Sequence, residues 1–106
     1  MALLYITEYI FLGAPPANGG QIPQEPPVAE QTVAITGTST QSNPFNAATR
    51  FIRLHSDAPA EVLVGSNPTA ILNTSGRMAA NQTEYRALPL PLGTATFKVA
   101  VIAPTI

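Results

Sequence analysis

With 106 residues, no cysteine, one histidine and a net charge of −1, the chain suits one domain around a single thin core. These figures exclude a disulfide framework and a thiolate metal site, and the lack of a Lys/Arg cluster removes the electrostatic footprint of a nucleic-acid binder. Charged residues make up only 10%, against about 25% in ordinary soluble domains, so much of the surface is expected to be covered by partners.

The first residues, Met1 to Ile6, have no basic n-region, and Glu8 interrupts the apolar run. No signal peptide is expected, and the apolar stretches fall short of the ~20 residues that span a membrane. A soluble protein made in a cytoplasm, with neither membrane nor nucleic acid as partner, is the expectation.

Leu3 to Ile10 reads as a strand. Leu3, Tyr5, Thr7 and Tyr9 share one face, and Leu4, Ile6, Glu8 and Ile10 share the other. Both faces are largely apolar, which suits a strand covered on both sides. Phe11 to Gln31 then carries Pro15, Pro16, Pro23, Pro26 and Pro27 with Gly13, Gly19 and Gly20. Proline removes amide donors and fixes φ, so helix and central strand are excluded there. An extended Pro/Gly-rich arm is expected, with residues 1–31 forming a strand and arm that work between chains, and residues 32–106 forming the folded domain.

Thr32 to Thr36 is a short strand with Val33 and Ile35 on one face. Gly37 to Asn43 is a loop of small polar residues. Thr49 to Ser56 is the clearest strand, with Phe51, Arg53 and His55 on one face and Ile52 and Leu54 inward. Ser56 to Pro59 is a turn, and Glu61 to Val64 follows, so a hairpin is expected. Ala70 to Leu72 suits a very short strand. Thr83 to Leu88 is a strand with Tyr85 and Ala87 on one face, and Phe97 to Ile102 is the last, with Val99 and Val101 inward. About seven short strands with turn signals every 8 to 12 residues point to an all-β fold, a small β-sandwich or jelly roll. The predicted core is Val33, Ile35, Ile52, Leu54, Val62, Val64, Tyr85, Val99 and Val101.

Chemistry-bearing constellations are sparse. His55, Ser56 and Asp57 are the residue types of a hydrolytic triad, but consecutive strand residues point to opposite faces, and triad members must converge. His55, Asp57 and Glu61 are the only clustered metal-ligand types, a weak set without cysteine or a second histidine. The glycines do not form a phosphate loop. Asn73-Thr74-Ser75 and Asn81-Gln82-Thr83 fit the glycosylation sequon, yet read as turns. No catalytic, metal or cofactor site is expected, and the protein is read as not an enzyme.

Contacts with partners are the expected work instead. Arginine suits interfaces because its planar fork pairs with carboxylates; pairing within the domain with Glu8, Glu61 or Glu84 is the other use. The predicted partner-binding residues are Leu3, Tyr5, Tyr9, Phe11, Ile22, Pro26 and Pro27 from the strand and arm, with Arg50, Arg53 and Arg77.

Five stretches, QEPPVAEQTVAI at Gln24 to Ile35, FNAATRFIRLH at Phe45 to His55, GSNPTA at Gly65 to Ala70, RMAANQTEY at Arg77 to Tyr85 and KVAVI at Lys98 to Ile102, together resemble small virion proteins of tailed bacteriophages. Phe11 to Ile22 and Gly37 to Asn43 lie outside the likeness. The resemblance is to head decoration or cement proteins. It implies a β-sandwich or jelly roll that binds the outside of a capsid and bridges and stabilises neighbouring capsomers. It further implies a virion location, the major capsid protein and the chain itself (as a homodimer or homotrimer) as partners, and no cofactor. The alternatives are another virion component, such as a neck, tail or fibre-associated β-sandwich protein, or a carbohydrate- or peptide-binding module.

Overall fold

The computed structural model describes residues 2–13, 22–89 and 96–104. Among these the regular structure is all strand: β1 (Leu3–Tyr9), β2 (Leu12–Gly13), β3 (Ile22–Pro23), β4 (Ala29–Ala34), β5 (Thr40–Gln41), β6 (Phe51–Ser56), β7 (Ala60–Gly65), β8 (Gly76–Met78), β9 (Gln82–Ala87) and β10 (Lys98–Ile102). Two four-stranded sheets form, in the orders β4-β1-β6-β9 and β5-β10-β7-β8, beside a two-stranded ribbon of β2 and β3. Every pairing is antiparallel. The expected all-β class is therefore found, arranged as two sheets packed around one core.

Period-two alternation fixes which side chains meet in that core. Along β6 the buried positions are Ile52, Leu54 and Ser56, each flanked by half-exposed neighbours. Register then carries the pattern sideways: Ile6 lies opposite Leu54, and Leu4 lies opposite Val33 on β4. The second sheet contributes Val62, Val99, Val101 and Met78, all fully buried. Each such side chain contributes on the order of 1.5–3 kcal/mol through burial. Of the predicted core, Val33, Ile35, Ile52, Leu54, Val62, Val99 and Val101 are buried and Val64 packs against them half-buried.

Tyr85 is the exception, with 54% of its surface exposed. Along β9 the inward positions are Gln82, Glu84 and Arg86, since Leu54 pairs with Glu84 and Ile52 with Arg86. β9 is an edge strand, and charges directed inward at an edge oppose pairing with another chain. Arg86 Nη2 donates to Glu84 Oε1 at 3.0 Å, so the pair satisfies itself at the open edge of the sheet.

The expected hairpin of β6 and β7 does not form. The two strands lie in different sheets, because Ile52 and Leu54 fill the core from one side and Val62 from the other. The chain crosses between layers at Asp57–Pro59, where the Ser56 hydroxyl donates to the Ala58 carbonyl. The polar stretch Gly37 to Asn43 contains β5, which pairs with β10. β8 was not legible either, and Ala70 to Leu72 is not a strand. Ala70 and Leu72 instead pack on Ala100 and Ile102 against the outer side of the second sheet.

The expected division is at residue 31. It cuts through β4, and β1 sits between β4 and β6 with Leu4 and Ile6 in the core. The sheet pairs both edges of β1 and the second sheet covers its Leu4–Ile6–Glu8 face, whereas Tyr5 and Thr7 on the other face stay on the surface. The buried Glu8 carboxylate adds a further tie: its Oε1 accepts 2.7 Å hydrogen bonds from the Asn46 amide and the Thr49 hydroxyl. β1 is thereby joined to the segment that leads into β6.

Candidate interaction surface

The outer face of the β4-β1-β6-β9 sheet follows from the same register. One row across it reads Thr32, Tyr5, His55, Thr83, and the next reads Glu30, Thr7, Arg53, Tyr85. Tyr5 is 40% exposed, and its ring tilts against His55 with centroids 6.2 Å apart. His55 Nδ1 shares a 2.8 Å hydrogen bond with the Thr83 hydroxyl oxygen. Tyr5, Thr7, Glu30, Thr32, Arg53 and His55, together with Asp57, line an open groove along the sheet.

At the end of the face near Phe51, the ribbon shapes a second and more apolar cleft. Leu12 and Ile22 from the ribbon and Arg50, Phe51, Tyr85 and Ala87 from the sheet line it. Phe11, Leu12 and Ile22 are large apolar residues with about half or more of their surface in water.

The described part of the Pro/Gly-rich arm is folded back on the domain. The Gln24 amide donates to the Phe11 carbonyl at 3.0 Å and the Val28 amide to the Glu8 carbonyl at 2.8 Å. Residues 14–21 of the arm lie outside the described residues. The returning segment covers Tyr9, which stacks on Phe51 at 5.3 Å and donates its hydroxyl hydrogen to Glu25 Oε2 at 2.8 Å. Burial, reinforced by this carboxylate, pushes the Tyr9 phenol up to about 12.

The predicted contact residues thus separate. Tyr5 and Arg53 stand on the outer face, with Leu3 half-buried at its margin. Ile22 and Arg50 line the cleft at the ribbon, Phe11 is exposed just before the ribbon, and Pro26 is exposed while Pro27 is half-buried. Tyr9 is only 5% exposed and cannot meet a partner as drawn from the sequence. Arg77 is exposed on β8, in the other sheet, and joins neither group. Tyr85, Phe51 and Glu30 belong to the surface and were missed. For Tyr85 the legible signal was the flanking Glu84 and Arg86, read as the outward pair when they face inward.

Arg86–Glu84 is the one ion pair among the described residues, so Arg50, Arg53 and Arg77 have no carboxylate partner within that set. Ser56 is fully buried on the side opposite His55. Glu61 lies buried in the other sheet, its Oε1 accepting from the Asn73 amide at 3.1 Å, and does not join His55 and Asp57. The asparagines of both sequons occupy left-handed turn positions, Asn73 at φ 62° and Asn81 at φ 60°, a conformation asparagine tolerates better than most residues. No helix among the described residues is long and apolar enough to cross a membrane.

The chain matches no protein-family model, no curated protein and no solved structure.

Proposed function

We propose that this chain is a structural virion protein, a decoration or cement protein that binds the outer surface of a bacteriophage capsid and bridges neighbouring major capsid protein subunits. The observation that carries the reading is the cleft at the ribbon, where Leu12 and Ile22, exposed by 49% and 56%, stand with Arg50, Phe51 and Tyr85, and where Phe11, 62% exposed, immediately precedes the ribbon. Exposed aliphatic side chains next to two aromatic rings suit a protein contact, and arginine beside aromatic and aliphatic residues is the composition of an interface centre. The resemblance of the five stretches supplies the partner class.

Strand order supports a jelly roll, an eight-stranded double sheet. Counting from β4, one sheet holds the first, third and sixth strands and the other holds the second, seventh, fourth and fifth. β1 lies between the first and third, the place of a jelly roll's last strand.

The test is retention on shells. Phage heads that lack the chain are mixed with wild-type protein or with a Phe11→Ser/Ile22→Ser double variant. The variant is expected to bind about tenfold or more weakly, in line with losing two buried apolar anchors, while its circular dichroism is unchanged. Undiminished retention of a folded variant overturns the reading.

A further inference from the structure

We propose that the β4-β1-β6-β9 face self-associates, with a second copy of the chain stacked on it about a two-fold axis running along β1. The inference does not depend on the virion reading.

Charge placement on the face carries it. Glu30 on β4 and Arg53 on β6 both lie opposite Thr7 of β1. They flank β1 at one level, one strand to either side. Neither has a charged partner among the described residues, where the one ion pair is Arg86–Glu84. A two-fold axis along β1 exchanges the two flanks and keeps the level. Glu30 of each copy then faces Arg53 of the other, twice, and Tyr5 faces Tyr5. A two-fold axis lying across the strands at Thr7 does the opposite: it sets Glu30 on Glu30 and Arg53 on Arg53. Of these two limiting orientations, complementarity favours the axis along β1 and penalises the axis across the strands. A closed, isologous pair results, the commonest form of soluble oligomer.

At the Tyr5 and Thr7 rows, beside the end where the returning segment covers Tyr9, an arginine and a glutamate together reach across the roughly 10 Å that separates stacked sheet faces. Tyr5, 40% exposed, supplies an aromatic pair at the axis. Exposed ion pairs contribute little affinity but set register. The face spans only four short strands, so the area is at the small end for specific interfaces, and a dissociation constant on the order of micromolar to tens of micromolar is expected.

Sedimentation equilibrium of the full chain, loaded from about 1 µM to about 1 mM to bracket that range, reads the association directly. The wild-type chain is expected to form a dimer. Arg53→Glu and Glu30→Arg each set like charges face to face and are expected to weaken dimerisation about tenfold or more. The combined Glu30→Arg/Arg53→Glu chain, with the pairs restored in reverse, is expected to return to within about threefold of wild type. Circular dichroism checks that each variant is folded, and Tyr5→Ala, which leaves the charges alone, is a second variant expected to weaken the dimer. A wild-type chain that stays monomeric throughout, or a double variant no better than the singles, overturns the proposal. Self-association with loss of shell retention in the ribbon variant, and the reverse, separate this proposal from the one above.

Discussion

The Tyr9 hydroxyl donates to Glu25 Oε2 at 2.8 Å, linking the central strand of one sheet to the segment that returns from the ribbon. Burial and this contact favour the neutral phenol, raising its pKa from 10.0 to about 12. A raised folded-state pKa means the folded protein holds the proton longer than the unfolded chain. The stabilisation is complete below pH 10.0 and is lost as pH rises through about 12. Ultraviolet titration of tyrosinate is expected to show a late phase that Tyr9→Phe removes. A Tyr9→Phe profile identical to wild type contradicts the assignment.

Leu54 is fully buried, whereas Tyr85, on the next strand, is 54% exposed. Leu54→Ala is expected to cost about 2–5 kcal/mol, and Tyr85→Ala within about 0.5 kcal/mol, as for a surface site. Urea denaturation monitored by circular dichroism measures both. Equal losses would place Tyr85 in the core after all.

Glu8→Ala removes the acceptor used by the Asn46 amide and the Thr49 hydroxyl. With Thr49 buried, the orphaned donors are expected to cost roughly 2–4 kcal/mol in all. Glu8→Gln retains a carbonyl oxygen and is expected to cost less. The same denaturation experiment ranks the two, and a Glu8→Ala chain as stable as wild type contradicts the role given to this carboxylate.

Because β1 pairs on both sides, deleting residues 1–10 leaves β4 and β6 without a shared neighbour and removes Leu4 and Ile6 from the core. The truncated chain is expected to be unfolded by circular dichroism and amide exchange. A cooperative unfolding transition in that chain would restore the view that the N-terminal strand serves partners alone.

What the sequence conveyed and what it concealed follow from the range of the interactions involved. Alternation along β6 is local, so Phe51, Arg53 and His55 were separable from Ile52 and Leu54 without any knowledge of neighbours. The placement of β1 is not local: Leu3 to Ile10 advertised two apolar faces, but only pairing with Gln31 and Leu54 decides that the strand belongs to its own sheet, with Leu4 and Ile6 in the core and Tyr5 left on the surface. β9 misled for a related reason. An edge strand directs Glu84 and Arg86 inward where their ion pair meets solvent at the open edge of the sheet, and polarity alone reads that as the outer face. β5 and β8, two and three residues long, carry too little pattern to be seen before their partners are known. The candidate surface was half legible: Tyr5, Arg53, Phe11, Ile22 and Arg50 carried a signal as single residues. The grouping of Glu30, Thr7 and Arg53 in one row exists only through register.

The central claim is that this chain coats a shell, and the most direct measurement is its location and copy number in purified particles, by electron microscopy with quantitative gel densitometry. The account predicts density of this sandwich on the outer capsid surface, its ribbon with Phe11, Leu12 and Ile22 turned toward the capsid subunits, in copies comparable to those subunits. Density confined to a neck or tail, at a small fraction of that number, would contradict it.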